Sequence, residues 1–481
     1  MDHRAFRLGK FLPMALALLA WLPAATPASA QDGTWTPLPG SSEAPGMRRE
    51  FGSVYDPVNQ RFVLFFGRDG DGSVYHLTNE AWQLALSESP EWTLLLPDDS
   101  TSSSRPGARH SPQWGFDPTR NRVLVFGGYG RHYSNWPYEY LNDVWELSLD
   151  GTPEWTELFP AGQTPSGRLA GAAVYDPMRQ RFVGFGGTIG VPVDTWVLNL
   201  RGQANWQPLP VDGVRPDGGY GMTSVYDAKR DRMVIFGGST NDDYYGANND
   251  VWELSLRGLP RWEKVVTAGT PPQARRSGTA VYDPIRDRMV IYGGFDAIWG
   301  SDEFLGDTWA LDFSGDIPTW VELQPAGNIP TVRDASAAAY DPVLDRMVVF
   351  GGWSGTEMLG DTQFLGWGDG GLEATLTPAS SATPTAAHLE WDVQGATGTY
   401  AAVYRRAPGG LWSALSEAEV DGTGQLTYDD ATVVAGETYE YMMVVGSERG
   451  ETFGGQVLVP IPTTLGSGPD AAARRTRRST G

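Results

Sequence analysis

Six times along this chain an aromatic residue is followed by Asp and, in five copies, by Pro; an Arg then stands at one fixed offset before a β-branched run. The copies begin at Tyr55-Asp56, Phe116-Asp117, Tyr175-Asp176, Tyr226-Asp227, Tyr282-Asp283 and Tyr340-Asp341, and their arginines are Arg61, Arg122, Arg181, Arg232, Arg288 and Arg346. A period of about 50 to 60 residues marks units of four short strands. One such unit cannot bury both of its faces and must stack on its neighbours. The pattern therefore predicts an all-β fold, a six-bladed β-propeller.

Each repeat reads as four strands. The first is small and apolar, as in Ala172-Ala173-Val174-Tyr175. Asp-Pro then turns the chain, with Pro fixing φ and the carboxylate bonding nearby amides. The second strand, such as Arg232-Met233-Val234-Ile235-Phe236, is too apolar for one wet face and ends at Gly237-Gly238, where positive φ or close approach is needed. The third carries Asp-Val-Trp or Asp-Thr-Trp, at Trp145, Trp196, Trp252 and Trp309, and the fourth a second Trp, at Trp92, Trp155, Trp206, Trp262 and Trp320. Five fourth strands serve six first strands. Thr34-Trp35-Thr36-Pro37-Leu38 matches Glu154-Trp155-Thr156-Glu157-Leu158, so the N-terminal strand is expected to complete the last blade and leave no free edge.

The Gly-Gly doublet, the downstream Trp and the Arg before each first strand resemble the kelch repeat over residues 32–368. The resemblance implies a kelch-type β-propeller. Two departures stand out: Gly67 is followed by Arg68 in place of a second Gly, and Gln363 replaces the third-strand Trp in the last copy.

Residues 1–30 read as a secretory signal peptide, with Arg4, Arg7 and Lys10 ahead of an apolar stretch and Ala28-Ser29-Ala30 as the small-residue cleavage site. The expectation is an exported protein, secreted or exposed at the cell surface, of bacterial origin. Cysteine is absent, which removes disulfides, thiolate metal sites and a cysteine nucleophile. The formal charge is −22, and a chain this acidic lacks the basic footprint of a nucleic-acid binder. No integral membrane segment is expected beyond the leader. Residues 464–481, with Arg474, Arg475, Arg477 and Arg478, read as a disordered basic tail.

Beyond the repeats, residues 369–385 read as a linker and residues 386–463 as a β-sandwich, because His388–Asp392, Tyr400–Arg406 and Thr438–Val445 alternate with period two. Trp391, Tyr400, Tyr404 and Tyr439 resemble a fibronectin type III module, with Tyr439 at the place of that family's corner tyrosine.

Binding chemistry on such a frame belongs to loops on one face. Tyr133, Trp136 and Tyr138 lie in a long insertion of the second repeat, Tyr244 and Tyr245 in the fourth, and Trp299 in the fifth. Rings interleaved with carboxylates and amides suit sugars or peptides; packing of loop on loop is the alternative. Arg48, Arg109, Arg168, Arg275 and Arg333 recur ahead of the first strands, with Gly219 in the fourth copy. They could hold a carboxylate or sulfate, or satisfy loop carbonyls and neighbouring acids. Asp69, Asp71, Ser73 and Glu80 have calcium-loop spacing, with an Asx-rich turn as the other reading.

The expected function is non-catalytic recognition of an extracellular glycan or protein, without a resident cofactor. Two alternatives remain: a carbohydrate-active enzyme using Asp242, Asp243, Asp302 and Glu303, or a structural envelope protein. The kelch architecture also includes galactose-oxidase-like copper enzymes. Their chemistry requires a Tyr cross-linked to Cys with His ligands, and this chain has no Cys and five His.

Overall fold

A computed structural model of the chain describes residues 32–38, 43–69, 76–87, 90–99, 101–132, 137–187, 193–240, 246–297, 303–367, 373–376, 380–394, 400–407, 413–421, 425–447 and 450–463. Every regular element among them is a strand. The fold is all-β and consistent with a kelch-type β-propeller. The expected leader and basic tail lie outside the described residues.

Sheets of one design follow each other along the chain. The first holds Gly52–Asp56, Arg61–Phe65, Ala81–Ala85 and Glu91–Leu96, in that order and antiparallel. The next four start at Gln113–Asp117, Ala172–Asp176, Thr223–Asp227 and Thr279–Asp283. Another contains Ala337–Asp341, Arg346–Trp353 and Met358–Gly366. Its outer strand is Thr34–Pro37, antiparallel to Met358–Gly366 with Trp35 opposite Leu365. Along its other edge Thr34 and Trp35 pair in parallel with Ala326 and Gly327. The same Gly-ended hook recurs where Ala161–Gly162 pairs with Asn205-Trp206 and Asp212–Gly213 with Arg261-Trp262.

The repeated Asp and Arg build the first hairpin of each sheet. Asp56 accepts the amides of Val58 at 3.0 Å and Asn59 at 3.2 Å, and Arg61 Nε donates to its other oxygen at 2.8 Å. The equivalent Arg–Asp bonds in the other five copies are 2.8 to 3.0 Å long, and all six carboxylates are buried. A charge taken out of water needs this partner, so these arginines are structural. Arginines in the turns then tie one sheet to the next: Arg179 reaches Asp231 at 2.8 Å, Arg230 reaches Asp287 at 2.7 Å and Arg286 reaches Asp345.

Apolar cores lie between consecutive sheets. Trp155 packs with Val63 and Phe65 of the preceding sheet, and Trp206, Trp262 and Trp320 do the same further along. Trp35 is buried with Val290, Tyr292, Val349 and Leu365. Phe62, Leu64 and Trp92 pack against Ala337, Val348 and Phe350, joining the first repeat to the last.

Both irregular repeats keep the chemistry of the regular ones. The first-repeat doublet is Phe66-Gly67 rather than a pair beginning at Gly67, because Phe66 N–H donates to Glu80 O as Gly127 N–H donates to Asp143 O. Phe66 has a φ of 65°, in the region normally left to glycine. It is held there by stacking on Trp155 at 5.2 Å and by Arg109 5.5 Å from its ring centroid. Gln363 Nε2 donates to Asp361 at 2.7 Å, the role that Trp145 plays toward Asp143 and Trp309 toward Asp307.

The C-terminal residues form two sheets. One contains Glu373–Leu376, Ser381–Thr383, Ala386–Gln394 and Gln425–Asp430; the other orders Ser413–Glu419, Tyr400–Arg406, Thr438–Ser447 and Gly450–Pro460. Leu389, Trp391, Val403, Leu426, Tyr441 and Met443 share their core. Two corrections follow. The stretch read as linker contributes two strands, since 373–376 and 381–383 both pair with Ala386–Gln394. The buried, hydrogen-bonded tyrosine is Tyr441, whose hydroxyl donates to Asp430 Oδ2 at 2.7 Å; Tyr439 lies under the guanidinium of Arg405.

Candidate functional site

The arginines expected to converge on a ligand are turned inward. Arg109 Nε donates to Gly107 O at 2.9 Å, and its two Nη atoms grip Asp143 at 2.6 and 2.8 Å. Arg275 does the same with Asp307 at 2.6 and 2.7 Å, and Arg333 with Asp361 at 2.8 and 2.9 Å. Arg168 bonds Asp194 at 2.6 Å, and Arg48 pairs with Glu80. All five are buried. Burial alone would raise the carboxyl groups of Asp143, Asp307 and Asp361, but the adjoining guanidiniums hold them below the usual carboxylate range. The ring of arginines is internal scaffolding. In the fourth repeat, where Gly219 replaces Arg, Asp250 pairs with Lys264 at 2.7 Å.

Two residues further on stand Glu50, Ser111, Ala170, Gly221, Ser277 and Ala335, all at positive φ between 49° and 67°. Ser111 N–H donates to Glu50 O at 2.7 Å, Ala170 to Ser111 at 2.9 Å, and Gly221 to Ala170 at 2.8 Å. Ser277 donates to Gly221 at 2.7 Å, Ala335 to Ser277 at 2.8 Å, and Glu50 to Ala335 at 3.0 Å. The bonds return to their starting residue and form a backbone collar. A cavity of about 600 Å³ lies on one side of it, lined by residues that follow the collar, among them Gly171, Met222, Gly278 and Ser336, and by the tyrosines at the far ends of the first strands.

Residues that precede the collar lie on its other side, at the mouth. Arg49, His110, Tyr220 and Asp334 are there, partly exposed together with Trp353, and Arg276 and Phe295 are buried beside them. Arg49 sits 5.1 Å from the centroid of Trp353, and Arg276 5.6 Å from Tyr220 and 5.2 Å from Phe295. Glu50 takes Arg68 at 2.8 Å, and a ring nitrogen of His110 lies 2.8 Å from its second oxygen. Burial works against this carboxylate, but His110 and Arg68 bring it down to about 2. Asp334 goes the other way. Burial pushes it up to about 7, with Arg49 only partly offsetting and Glu50 adding to the rise. Sequence reasoning missed this cluster because its members differ from repeat to repeat; only their offset from the buried arginines is constant.

Of the loop aromatics, Tyr138 is described, and Tyr133, Trp136, Tyr244, Tyr245 and Trp299 lie outside the described residues. Tyr138 is 41% exposed, yet it stacks on Tyr129 at 6.0 Å with rings 12° apart, and Arg131 stands 3.9 Å from its centroid. Ring faces occupied in this way form a packed ribbon rather than a platform for a sugar. Of the calcium candidates, Asp71 and Ser73 lie outside the described residues. Asp69 is 3.2 Å from His76, and Glu80 is committed to Arg48. Asp242, Asp243 and Asp302 are likewise outside, and the amide of Glu303 bonds Asp296. Among the described residues no group of three His, Cys, Asp or Glu could hold a metal ion, and no helix is long and apolar enough to cross a membrane.

Residues 178–367 match the KLHDC2/KLHL20/DRC7 Kelch-repeats domain. Tip elongation aberrant protein 1 of Schizosaccharomyces pombe is 30% identical over 197 residues, 39% of this chain and 15% of that protein. The leucine-zipper-like transcriptional regulator 1 homolog of Drosophila melanogaster is 28% identical over 240 residues, 48% of this chain and 23% of that protein. The chain thus spans less than a quarter of the length of either relative, and both are eukaryotic. A fungal alcohol oxidase of the AA5 family, solved in complex with copper, superimposes with a TM-score of 0.51 at 14% identity, covering 90% of this chain and 100% of the oxidase. That likeness concerns the fold alone. Cysteine is absent, and among the described residues His76, His110 and His388 each sit beside a different carboxylate, Asp69, Glu50 and Asp429, while His132 lies 3.8 Å from both Glu139 and Asp143. The repeated sheets and the family match together support a kelch-repeat protein.

Proposed function

We propose that this chain is an exported, non-catalytic recognition protein that holds a protein or glycan ligand at the mouth of a closed six-bladed propeller. In this reading Thr34–Pro37 completes the last blade, and a fibronectin type III-like sandwich spaces the propeller from its anchorage. The observation that carries the reading is the mouth itself: arginines, carboxylates and aromatic rings gathered above a backbone collar that cannot shift without breaking hydrogen bonds. A ligand docking there meets groups already fixed, so little ordering entropy opposes binding. Arg, Trp and Tyr are the side chains that dominate interface energies, and Arg49, Trp353 and Tyr220 are partly exposed there. The kelch-repeat match favours protein binding.

The test is a glycan and peptide array probed with the full chain and with a Trp353→Ala variant. A saturable hit that the variant loses, at an unchanged melting temperature, supports the reading. Equal binding by both proteins removes the mouth as the site.

A further inference from the structure

In four of the repeated sheets the outer strand is not left as a bare edge. A hook from the preceding connector pairs with it in parallel: Ala161–Gly162 on Asn205-Trp206, Asp212–Gly213 on Arg261-Trp262, and Ala326–Gly327 on Thr34-Trp35. Ala268 does the same in the fifth repeat, donating to Pro318 O and accepting from Trp320 N–H, each at 2.9 Å. The hook glycines, Gly162, Gly213, Gly269 and Gly327, have φ between 77° and 89°. A Cβ on them would come within 2.2 to 2.5 Å of the tryptophan carbonyl oxygen, so this close approach requires glycine.

The second repeat departs from the pattern. Its sheet ends at Glu154–Leu158, and among the described residues no strand pairs with the outer edge. The connector in the place of the hook is longer: Trp92 to Arg109 spans 17 positions, against 13 from Trp155 to Arg168 or from Trp320 to Arg333. It is tied to its own repeat instead. Asp98 Oδ1 accepts the amide of Asn79 at 2.8 Å, Asn79 Nδ2 donates to Asp99 O at 2.9 Å and to Pro106 O at 3.0 Å, and Arg105 donates to Pro97 O at 2.7 Å. The edge therefore presents the amide and carbonyl of Trp155 and the carbonyl of Pro153, the equivalents of the groups that hooks bond elsewhere. The connector that would serve the first repeat includes residues 39–42, outside the described residues.

Such an edge is a template for an added strand, and charge selects what can add. Glu154 is exposed and Glu157 half-buried, and among the described residues neither forms an ion pair. Burial and the nearby Asp143 raise the Glu157 carboxyl above its ordinary value, as expected of a carboxylate without a close cation. A second copy paired edge to edge would bring these glutamates against their own counterparts in a chain of charge −22, and like charges across strands are unfavourable. A segment with basic side chains removes that conflict. Transferring the hook register to this edge puts Gly opposite Trp155, the residue before it opposite Glu154, and the second residue after it opposite Glu157.

We propose that the outer edge of Glu154–Leu158 binds, as an added parallel strand, an extended segment of a partner protein in which Gly faces Trp155 and Arg or Lys faces Glu154 and Glu157. This edge is distinct from the mouth, so its test is independent of recognition there.

The probe is a labelled peptide copying Phe159-Pro160-Ala161-Gly162-Gln163-Thr164-Pro165 with Ala161→Arg and Thr164→Arg. It is titrated into the full chain by fluorescence anisotropy at about 0.15 M salt, where long-range attraction between exposed charges is screened. Saturable binding is expected, at least tenfold weaker to the Glu154→Lys variant and at least tenfold weaker for a scrambled peptide of the same composition. Glu154 is exposed, so its variant retains the fold. Hydrogen exchange supplies a second readout: in the free chain the Trp155 amide should exchange faster than the hook-bonded Trp320 amide, and it should slow when the peptide binds. Absence of binding overturns the proposal, as does equal affinity for the scrambled peptide or for Glu154→Lys, which would reduce the contact to unspecific charge attraction. A Trp155 amide as protected as that of Trp320 in the free chain also overturns it; if deleting residues 464–481 removes that protection, the basic C-terminal segment is the occupant in place of a partner.

Discussion

The amide of Glu50 donates to the carbonyl of Ala335 at 3.0 Å, joining the first repeat to the sixth across almost the whole propeller sequence. Ser111 then donates to Glu50 at 2.7 Å, so one residue carries the bond on both sides. If these bonds hold a ring together, the strand that completes the last sheet must be a major source of its stability.

Trp35 lies on that strand and is fully buried. Trp35→Ala is expected to cost about 3–5 kcal/mol, the range for deleting a buried aromatic side chain, measured by urea denaturation. A loss below about 1 kcal/mol, the size of a surface change, would mean that Thr34–Pro37 is not docked in solution.

Asp143→Asn leaves Arg109 buried with half its pairing and is expected to cost about 3–5 kcal/mol, as for one partner lost from a buried pair. The wild-type contribution has a definite pH dependence. Asp143, Asp307 and Asp361 have carboxyl groups held below their unfolded value, so the stability they confer is complete above that value and is lost as pH falls below it. Melting temperatures between pH 2 and pH 6 should fall toward acid, with a shallower slope in the Asp143→Asn variant.

Asp334 behaves in the opposite sense. Its carboxyl is raised to about 7, so the folded protein holds a proton that the unfolded chain releases near pH 4. Its contribution therefore weakens as pH rises from about 4 to 7 and is flat above. Asp334→Asn should stabilise the protein at pH 8 by about 1–3 kcal/mol, the scale of one unsatisfied buried group, and have little effect at pH 4. A uniform shift at both pH values would contradict the strained carboxylate.

Phe66 adopts a backbone conformation that favours glycine, but its ring is buried against Trp155. Phe66→Gly relieves the backbone and deletes the ring. Because the packing loss of about 3–5 kcal/mol exceeds the backbone relief of about 1 kcal/mol, the variant should be less stable in denaturant titrations.

The repeating layout was legible because Asp56 and Arg61, Gly127 and Gly128, and Trp155 recur at fixed offsets for a backbone or packing reason shared by every copy. The role of Arg109 was legible only as an alternative, since a constant offset does not distinguish a ligand-facing guanidinium from one that grips Asp143. The mouth was not legible. Arg49, His110, Tyr220, Arg276 and Asp334 occupy equivalent places with unlike side chains, and residue type carries no period there. The collar was hidden for a related reason: its bonds are backbone bonds, made equally by Glu50, Ser111, Gly221 and Ala335.

The most direct test of recognition at the mouth is a binding isotherm of the strongest array ligand on the wild-type chain and on Trp353→Ala, with melting curves for both. The account predicts at least tenfold weaker binding in the variant at an unchanged melting temperature. Superimposable isotherms would contradict it.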